Sequence, residues 1–202
     1  MIKIAILDYG VGNLFSIQTA LKKLGVTTIV TSELDANLEY DGIMLPGVGG
    51  WKHAVKRIQV NQRILNDYYE NNKPILGVCL GMQLFFEKSA EGPGEGLGFF
   101  EGEIMLFSND VKVPHIGWNT LKQNKKDRIL DGVDNQSWAY FVHSLYPEPV
   151  DSKIISTTTD YGIEFTSMIN KNNIFGTQFH PEKSGKAGAR ILENFVSVCG
   201  NV

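Results

Sequence analysis

Cysteine is scarce in this sequence, and the scarcity limits what kind of protein it can encode. Only Cys79 and Cys199 occur among the 202 residues, and they lie far apart. Two isolated cysteines give neither the ligand spacing of a zinc site nor the disulfide framework of a small secreted protein. We therefore expect no structural metal, a reducing compartment such as the cytoplasm, and one thiol with a chemical role beside one without.

The sequence also lacks a strong charge of either sign and any long hydrophobic run. Lys and Arg number 19 against 22 Asp and Glu, so the formal net charge is -3. The basic surface that nucleic acids and anionic membranes require is not expected. No apolar run approaches the ~20 residues that span a bilayer, and no charged-then-apolar leader opens the sequence. These features predict a protein that binds neither nucleic acid nor membrane.

Motifs for nucleotide cofactors are missing as well. The chain contains no Gly-x-x-x-x-Gly-Lys-Ser/Thr phosphate loop and no Rossmann glycine fingerprint, so we expect no cofactor. No internal repeat or low-complexity segment stands out, and 43% hydrophobic with 20% charged residues is an ordinary globular composition. A single domain over residues 1–202 is the organisation that we expect.

What the sequence does contain is an alternation of short apolar runs with amphipathic stretches, which predicts an α/β fold. We expect a mostly parallel twisted sheet with helices on both faces, because helical crossovers join parallel strands. The stretch 99–177 is richer in short strands and turns, which predicts a small antiparallel extension. Predicted strands cover residues 2–7, 27–30, 42–45, 75–78 and 173–179, predicted helices 14–24, 51–71, 80–88 and 185–198, and a predicted surface loop 89–98.

One of the two thiols lies in a setting that favours chemistry. Cys79 is the centre of Gly77-Val78-Cys79-Leu80-Gly81, directly after an apolar run. A strand-to-helix turn of this type leaves no room for side chains larger than hydrogen at the flanking glycines. We expect the turn to expose Cys79 at a helix N-terminus, where free N–H groups stabilise a thiolate and an oxyanion. On this pentapeptide alone, a cysteine packed in a tight turn is the more frequent arrangement.

A second cluster, near the end of the sequence, changes that balance. His180-Pro181-Glu182 places a base and a carboxylate two residues apart at the end of a predicted strand. His180 can take the thiol proton and Glu182 can orient the ring, as in acyl-transfer enzymes. His143 is a weaker candidate for the base because no carboxylate accompanies it as Glu182 accompanies His180.

Longer blocks of sequence carry a family resemblance. Three segments resemble class I glutamine amidotransferases: the Cys79 turn with Gln83 four residues on, Pro-Gly-Val-Gly at 46–49, and Phe-His-Pro-Glu-Lys-Ser at 179–184. Three more are similar to the glutaminase subunits of imidazole glycerol phosphate synthases: Asp-Tyr-Gly-Val-Gly-Asn at 8–13, His-Ile-Gly-Trp-Asn at 115–119, and Tyr-Phe-Val-His-Ser at 140–144. The resemblance extends from Ile2 to about Val198 and implies a flavodoxin-like fold.

The resemblance implies hydrolysis of glutamine to glutamate and ammonia by Cys79, His180 and Glu182. Backbone N–H groups of an oxyanion hole would come from Val48, Gly49 and Leu80, and substrate contacts from Gln83, His143 and Ser144. From the residues alone, the turn at 46–50 is equally an ordinary loop, and Gln83 is equally a local packing residue. Leu145 replaces a commonly aromatic position.

The resemblance also implies a partner. A separate (β/α)8 cyclase subunit would use the ammonia in histidine biosynthesis, as a heterodimer with this chain, and Asn13, Trp118 and Lys183 would face it. The glutaminase would stay nearly inactive until the partner binds its acceptor substrate. The glycines beside Val48 would give the oxyanion turn the freedom to switch.

Three other functions stay open. A non-catalytic binding module would keep the sheet without the chemistry, and rapid labelling of Cys79 by a glutamine-analogue electrophile would argue against it. A free-standing cysteine hydrolase would act at full rate without a partner. A paralogous glutaminase subunit would feed ammonia to a sugar-modifying amidotransferase, and only the identity of the partner chain separates that pathway from histidine biosynthesis.

Overall fold

The computed structural model describes residues 1–10 and 14–201, in which strands and helices alternate before strands dominate. The strands are β1 (Lys3–Leu7), β2 (Thr27–Thr31), β3 (Gly42–Gly47), β4 (Ile75–Cys79), β5 (Phe86–Ser89), β6 (Phe100–Leu106), β7 (His115–Gln123), β8 (Ser137–His143), β9 (Leu145–Pro149), β10 (Ile155–Asp160), β11 (Glu164–Lys171) and β12 (Ile174–Thr177). The helices are α1 (Leu14–Lys23), α2 (Trp51–Ile58), α3 (Gln62–Glu70), the single turn α4 (Leu80–Gln83) and α5 (Gly185–Cys199). Within these described ranges, no helix combines the length and apolar character needed to cross a bilayer.

Nine of the strands form one continuous sheet in the order β2-β1-β3-β4-β12-β11-β10-β7-β8. From β2 to β12 every neighbouring pair is parallel. From β12 to β8 every pair is antiparallel. The parallel α/β core with an antiparallel extension is therefore confirmed, and β12 is the strand that joins the two halves.

Helices cover both faces of the parallel strands. Along β1, Ala5 and Leu7 belong to a core shared with α2 and α3, whereas Ile4 and Ile6 belong to a second core shared with α1 and α5. Alternate residues of a strand face opposite sides, so each strand contributes to both cores. Strands buried on both faces read as continuous apolar runs, which is why the sequence predicted β3 and β4.

The predicted helix over residues 80–88 is wrong beyond its first turn. It ends at Gln83, and β5 follows almost at once, pairing with β6 in a second sheet of three strands, β5-β6-β9. The backbone binds the next loop instead of extending the helix, since the Leu97 N–H donates to the Leu84 carbonyl at 2.7 Å. Leu84 and the two phenylalanines after it are fully buried, so this run has no polar face for a surface helix.

The carboxyl ends of three parallel strands meet at one edge of the sheet. Gly47, the last residue of β3, pairs with Cys79, the last residue of β4. Thr177, at the end of β12, pairs with Val78. Because α/β sheets bind ligands at this edge, the turns that follow β3, β4 and β12 are positioned to form a site.

Candidate active site

Cys79 adopts a strained backbone conformation at the end of β4. Its φ is 54° and its ψ -110°, a combination that costs a non-glycine residue roughly 1–3 kcal/mol. A Cβ on Gly81 would lie 1.6 Å from the Leu45 carbonyl oxygen, and one on Gly77 would lie 2.6 Å from the backbone of Gly81. Both flanking glycines are therefore required by close contact, which confirms the steric prediction from the sequence.

The thiol is less exposed than the turn predicts. Only 5% of Cys79 is accessible, so the expectation of an exposed residue is wrong. The wall around the sulfur explains this: Sγ lies 3.9 Å from the Val142 carbonyl oxygen and accepts a hydrogen bond from Gln178 Nε2 at 3.5 Å. Ligands reach the sulfur through a cavity that Cys79 lines.

His180 and Glu182 form a buried pair beside this thiol. His180 Nδ1 lies 2.9 Å from Glu182 Oε1, and the two side chains are 4% and 2% exposed. Because a carboxylate only accepts, Nδ1 of His180 carries a proton. The other ring nitrogen, Nε2, is buried and makes no hydrogen bond with the described residues. It is the ring atom that remains free to exchange a proton.

Electrostatic coupling links His180 to Cys79. Burial alone would lower the pKa of His180, but interaction with the nearby Cys79 sulfur and the hydrogen-bonded charge of Glu182 raise the pKa of His180 to about 9. The ring is therefore protonated at neutral pH, which places a positive charge beside the sulfur. Nε2 makes no hydrogen bond with the described residues, and hydrogen bonds of such groups often tighten when substrate binds.

A cavity of about 480 Å³ opens on Cys79, within the ~300–1,000 Å³ typical of small-molecule sites. It brings together all the oxyanion-hole and substrate-contact residues predicted from the sequence: Val48, Gly49, Leu80, Gln83, His143 and Ser144. Among the residues that the structure describes, no three His, Cys, Asp or Glu side chains are grouped to hold a metal ion.

Two turns that could offer backbone N–H groups line the cavity. Gly49 has a φ of 142°, a conformation that favours glycine, and Val48 before it is 38% exposed. Leu80 is the first residue of α4, so its N–H is one that the helix leaves without an internal partner. The N–H of Trp51, at the start of α2, is already bound by Glu91 Oε2 at 3.0 Å.

His143 lines the cavity and is paired with a second neutral histidine, His115. Its Nε2 lies 3.0 Å from His115 Nδ1, and its own Nδ1 lies 2.7 Å from the Leu145 carbonyl oxygen. Burial lowers the pKa of His143 to about 3 and that of His115 to about 4. A ring that stays neutral at pH 7 supplies no imidazolium. The lowered pKa of His143 and the raised pKa of His180 therefore favour His180 as the residue that exchanges the proton.

Comparison with known proteins places the chain in a family. The family model for glutamine amidotransferase class-I matches residues 5–199. This chain belongs to the class I glutamine amidotransferases. A protein of Archaeoglobus fulgidus named imidazole glycerol phosphate synthase subunit HisH is 47% identical over 197 residues, which cover 96% of this chain and 98% of that protein. Proteins with the same name from Methanocaldococcus jannaschii and Bacillus cereus are 44% and 43% identical over 96% of this chain and 99% and 94% of their own.

Solved structures share the fold of this chain. The crystal structure of a GMP synthase component from Thermoplasma acidophilum has a TM-score of 0.79 at 21% identity and covers 100% of this chain and 95% of its own. The structure of PurLQS from Thermotoga maritima has a TM-score of 0.74 at 16% identity and covers 97% and 98%. At such identities the likeness concerns the fold alone.

Two polar residues of the amidotransferase site had no predicted role. Gln178 is completely buried and contacts the Cys79 sulfur, and its position two residues before His180 was the one available signal. Glu91 lines the cavity although it falls in the predicted surface loop. Nothing in the composition of that loop marks Glu91, because its place depends on the loop folding back toward α2.

The residues predicted to face a partner lie on an exposed side of the antiparallel half. Trp118 is 52% exposed and packs edge-on against Tyr140, with ring centroids 5.9 Å apart. Lys183 Nζ lies 5.8 Å from the centroid of the same ring, whereas Asn13 lies outside the described residues. The Tyr140 carbonyl accepts the His180 N–H at 2.9 Å, so the backbone of this surface is bonded directly to the candidate active site.

Proposed function

We propose that this chain hydrolyses glutamine to glutamate and ammonia, with Cys79 as the nucleophile, His180 as the base and acid, and Glu182 as the residue that orients the ring. The observation that carries the proposal is a cavity that opens on Cys79 beside the buried His180–Glu182 pair. The relatives named imidazole glycerol phosphate synthase subunit HisH match this chain over nearly its full length. The activity therefore serves histidine biosynthesis, as the glutaminase part of that synthase.

The first half of the reaction forms a thioester. The sulfur of Cys79, ionised beside the imidazolium of His180, attacks the carboxamide carbon of glutamine, and a C–S bond forms as the carbonyl electrons move to oxygen. When the carbonyl re-forms, the C–N bond breaks and His180 gives its Nε2 proton to the leaving nitrogen. Ammonia and a glutamyl thioester result.

The second half restores the enzyme. Neutral His180 takes a proton from a water molecule, and the resulting hydroxide adds to the thioester carbon. The C–S bond then breaks, glutamate leaves, and the thiolate and imidazolium are recovered. In both halves the negative oxygen is stabilised by the N–H of Leu80 and by the turn at Val48 and Gly49, and one such donor is worth about 2.7–4 kcal/mol.

Charged and polar groups of the cavity suit the amino-acid end of glutamine. Glu91 is an acidic residue of the lining, and its carboxylate complements the α-ammonium group. Gln83 Nε2 is engaged by the Leu145 carbonyl at 3.3 Å and by Gln178 Oε1 at 3.1 Å, so its oxygen remains as the acceptor for substrate. His143 and Ser144 complete this binding wall in the proposal.

The use of the ammonia requires a partner. We propose a separate (β/α)8 cyclase subunit in a heterodimer, docked on the face that carries Trp118 and Lys183, with Asn13 as a further contact. The support is an aromatic and cationic surface whose backbone is bonded to His180. Ammonia released into water is protonated and loses its nucleophilicity, which favours direct transfer between the two proteins.

Two broader proposals follow the same reasoning. We propose that residues 1–202 form a single domain, which the continuous nine-stranded sheet supports. We propose a cytoplasmic location, which the two unpaired cysteines support.

Two nitrogen sources provide the test. The chain is purified with its co-purifying partner, and synthesis is measured with glutamine and with an ammonium salt. Cys79→Ala should lose glutamine-dependent synthesis by about 10⁴- to 10⁶-fold and keep ammonium-dependent synthesis, because the acceptor site lies on the partner. Cys199→Ala removes the other buried thiol and is the matched control that keeps both activities.

The outcomes separate the remaining alternatives. Glutamine hydrolysis that persists in Cys79→Ala would exclude this nucleophile. Mass spectrometric identification of a sugar-modifying synthase as the partner would replace the proposed acceptor pathway. Full glutaminase activity without any partner would indicate a free-standing cysteine hydrolase.

A further inference from the structure

Gln178 is enclosed on all sides, and both ends of its side-chain amide contact site residues. No part of the residue is accessible to solvent. Its Oε1 accepts a hydrogen bond from Gln83 Nε2 at 3.1 Å, and its Nε2 donates to Cys79 Sγ at 3.5 Å. Both contacts are buried, so water does not compete for either end of the amide.

Contacts further from the sulfur fix the direction in which this amide points. The Leu145 carbonyl oxygen, which can only accept, lies 3.3 Å from Gln83 Nε2. The Gln83 nitrogen is thereby the atom that also faces Gln178, so the oxygen of Gln178 must meet it. The Gln178 nitrogen is left facing the Cys79 sulfur. The same Leu145 carbonyl binds His143 Nδ1 at 2.7 Å. This bond fixes the Leu145 end of the hydrogen-bonded residues Leu145, Gln83 and Gln178 in the cavity wall.

An N–H donor affects the two protonation states of a sulfur differently. A thiolate is a charged acceptor, and hydrogen bonds to charged acceptors are the stronger ones. A neutral thiol is only a weak acceptor. A donor held at the sulfur therefore favours the ionised form and restricts where that sulfur lies. We propose that Gln178 is a further catalytic residue, which stabilises the Cys79 thiolate and fixes its position for attack; this rests on the glutaminase chemistry proposed above.

Other groups act electrostatically on the same sulfur, and the test must keep them constant. His180 is coupled both to Cys79 and to Glu182. The buried hydroxyl of Tyr9, from the segment after β1, interacts with Cys79. His143 interacts with His180 from β8. A substitution of the amide alone leaves all of these groups in place.

Two substitutions remove the donor in different ways. Gln178→Met keeps a long neutral side chain without an N–H, and Gln178→Glu keeps the shape but places a second negative charge at the sulfur. In the full chain, the rate of Cys79 alkylation by iodoacetamide is measured against pH by peptide mass spectrometry. Cys199 is 2% exposed, and burial raises its pKa to about 12, so labelling of Cys199 in the same digest reports unfolding.

If Gln178 Nε2 stabilises the thiolate, its removal should shift the dependence of the Cys79 alkylation rate on pH. The midpoint of the rate against pH should move upward by about one to two pH units in Gln178→Met and further in Gln178→Glu. The kcat of glutamine hydrolysis should fall about 10- to 100-fold, with KM within about twofold because Gln83 keeps the Leu145 carbonyl. Gln59→Met, on an exposed residue, is the matched control and should change neither measurement.

An unchanged midpoint in Gln178→Met with Cys199 unlabelled would overturn the proposal. Labelling of Cys199 in both Gln178 variants would also overturn it, because Gln178 would then hold the fold rather than the thiolate. The result is independent of the test of glutaminase function, since alkylation of Cys79 needs neither glutamine nor partner. If Gln178→Met showed no shift of the alkylation midpoint while Cys79→Ala lost its glutamine-dependent activity, the role of Gln178 would be wrong and the glutaminase assignment would stand.

Discussion

At the scale of single residues, Cys79 and Glu182 together keep His180 protonated. Glu182 is buried almost completely, and one of its oxygens is bonded only to His180 Nδ1. Burying an uncompensated carboxylate is costly, so the folded protein is more stable when the ring is charged. The raised pKa of His180 therefore adds stability that is fully present below its ordinary value of 6.5 and is lost as pH rises through about 9.

The same pair predicts the alkaline side of the activity profile. In the proposed mechanism the imidazolium supplies the proton for the departing nitrogen, so kcat/KM for glutamine should fall as pH rises through about 9. Cys79 and Glu182 both raise this pKa, and Glu182→Gln removes the second of these contributions, so the alkaline limb should move to lower pH. The measurement is kcat/KM for glutamine against pH, in the complex with the partner.

A surface carboxylate serves as the control for that profile. Glu193 pairs with Arg190 at 3.0 Å on the exposed side of α5, and Glu193→Gln should leave the limb where it is. An alkaline limb that stays in place in Glu182→Gln would contradict the role of Glu182.

At the scale of elements, the turn between β4 and α4 is the most constrained part of the site. It holds Cys79 at a positive φ between two glycines that are in backbone contact with their neighbours. Such strain persists only where the surroundings determine the conformation. Strands β3 and β12 provide these surroundings, because both pair in parallel with β4, one on each side.

Gly81 provides the sharpest test of that constraint. Gly81→Ala would bring a methyl group against the Leu45 carbonyl oxygen, so β3 and α4 must separate. We expect a loss of about 1–3 kcal/mol or more in the free energy of unfolding, measured by urea denaturation, together with loss of glutaminase activity.

The control for this prediction is a glycine with ordinary backbone geometry. Gly200 lies at the C-terminal end of α5 with φ -82°. A methyl group there would approach the flexible Ile2 side chain at 3.1 Å and the Ser197 carbonyl oxygen at an ordinary contact distance of 3.8 Å. Gly200→Ala should change stability by no more than about 0.5 kcal/mol. Equal stability of the Gly81 and Gly200 variants would show that the turn can relax.

Some of these elements could be predicted from the sequence and others could not, and the difference has physical causes. β1, β3 and β4 were predictable because strands buried on both faces leave an unbroken apolar signal. The Cys79 turn was predictable because close contacts within the turn itself require glycine at the flanking positions. β5 was not, since its strand state comes from pairing with β6, a contact that local periodicity does not encode. Glu91 reaches the cavity only through the course of its loop, so no local pattern could assign it.

At the scale of the whole molecule, backbone hydrogen bonds connect the candidate active site to the proposed partner face. Tyr140 lies between Trp118 and Lys183 on the surface. Its carbonyl binds the His180 N–H, and its own N–H donates to the Ser184 hydroxyl at 2.9 Å. A displacement of β8 on docking would therefore be transmitted to the segment that carries His180 and Glu182.

This connection predicts that the partner controls glutaminase activity. Glutamine hydrolysis should rise from the isolated chain to the complex, and again when the acceptor nucleotide binds. A coupling of 1–3 kcal/mol gives about a 5- to 150-fold change, and a larger one requires an active conformer that is almost unpopulated in the free chain. Equal rates in the three samples would sink this model.

Lys183 tests whether the aromatic and cationic surface carries the signal. Lys183→Ala should reduce activation in the complex, because it removes the cation over the Tyr140 ring. Lys186→Ala, on a nearby exposed lysine in α5, is the matched control and should activate normally. Full activation of the Lys183 variant would remove that residue from the model.

The position of β12 has a consequence for how the chain acquires its fold during synthesis. β12 is the last strand in the sequence, yet it lies in the middle of the sheet, between β4 and β11. Until it emerges, β4 and β11 are open edges, and unpaired edges of this kind promote aggregation. The nascent chain therefore cannot close its sheet until Thr177 has been made, and His180 follows within three residues. Closure of the sheet and completion of the active site are thus nearly one event, and a prematurely terminated chain has neither.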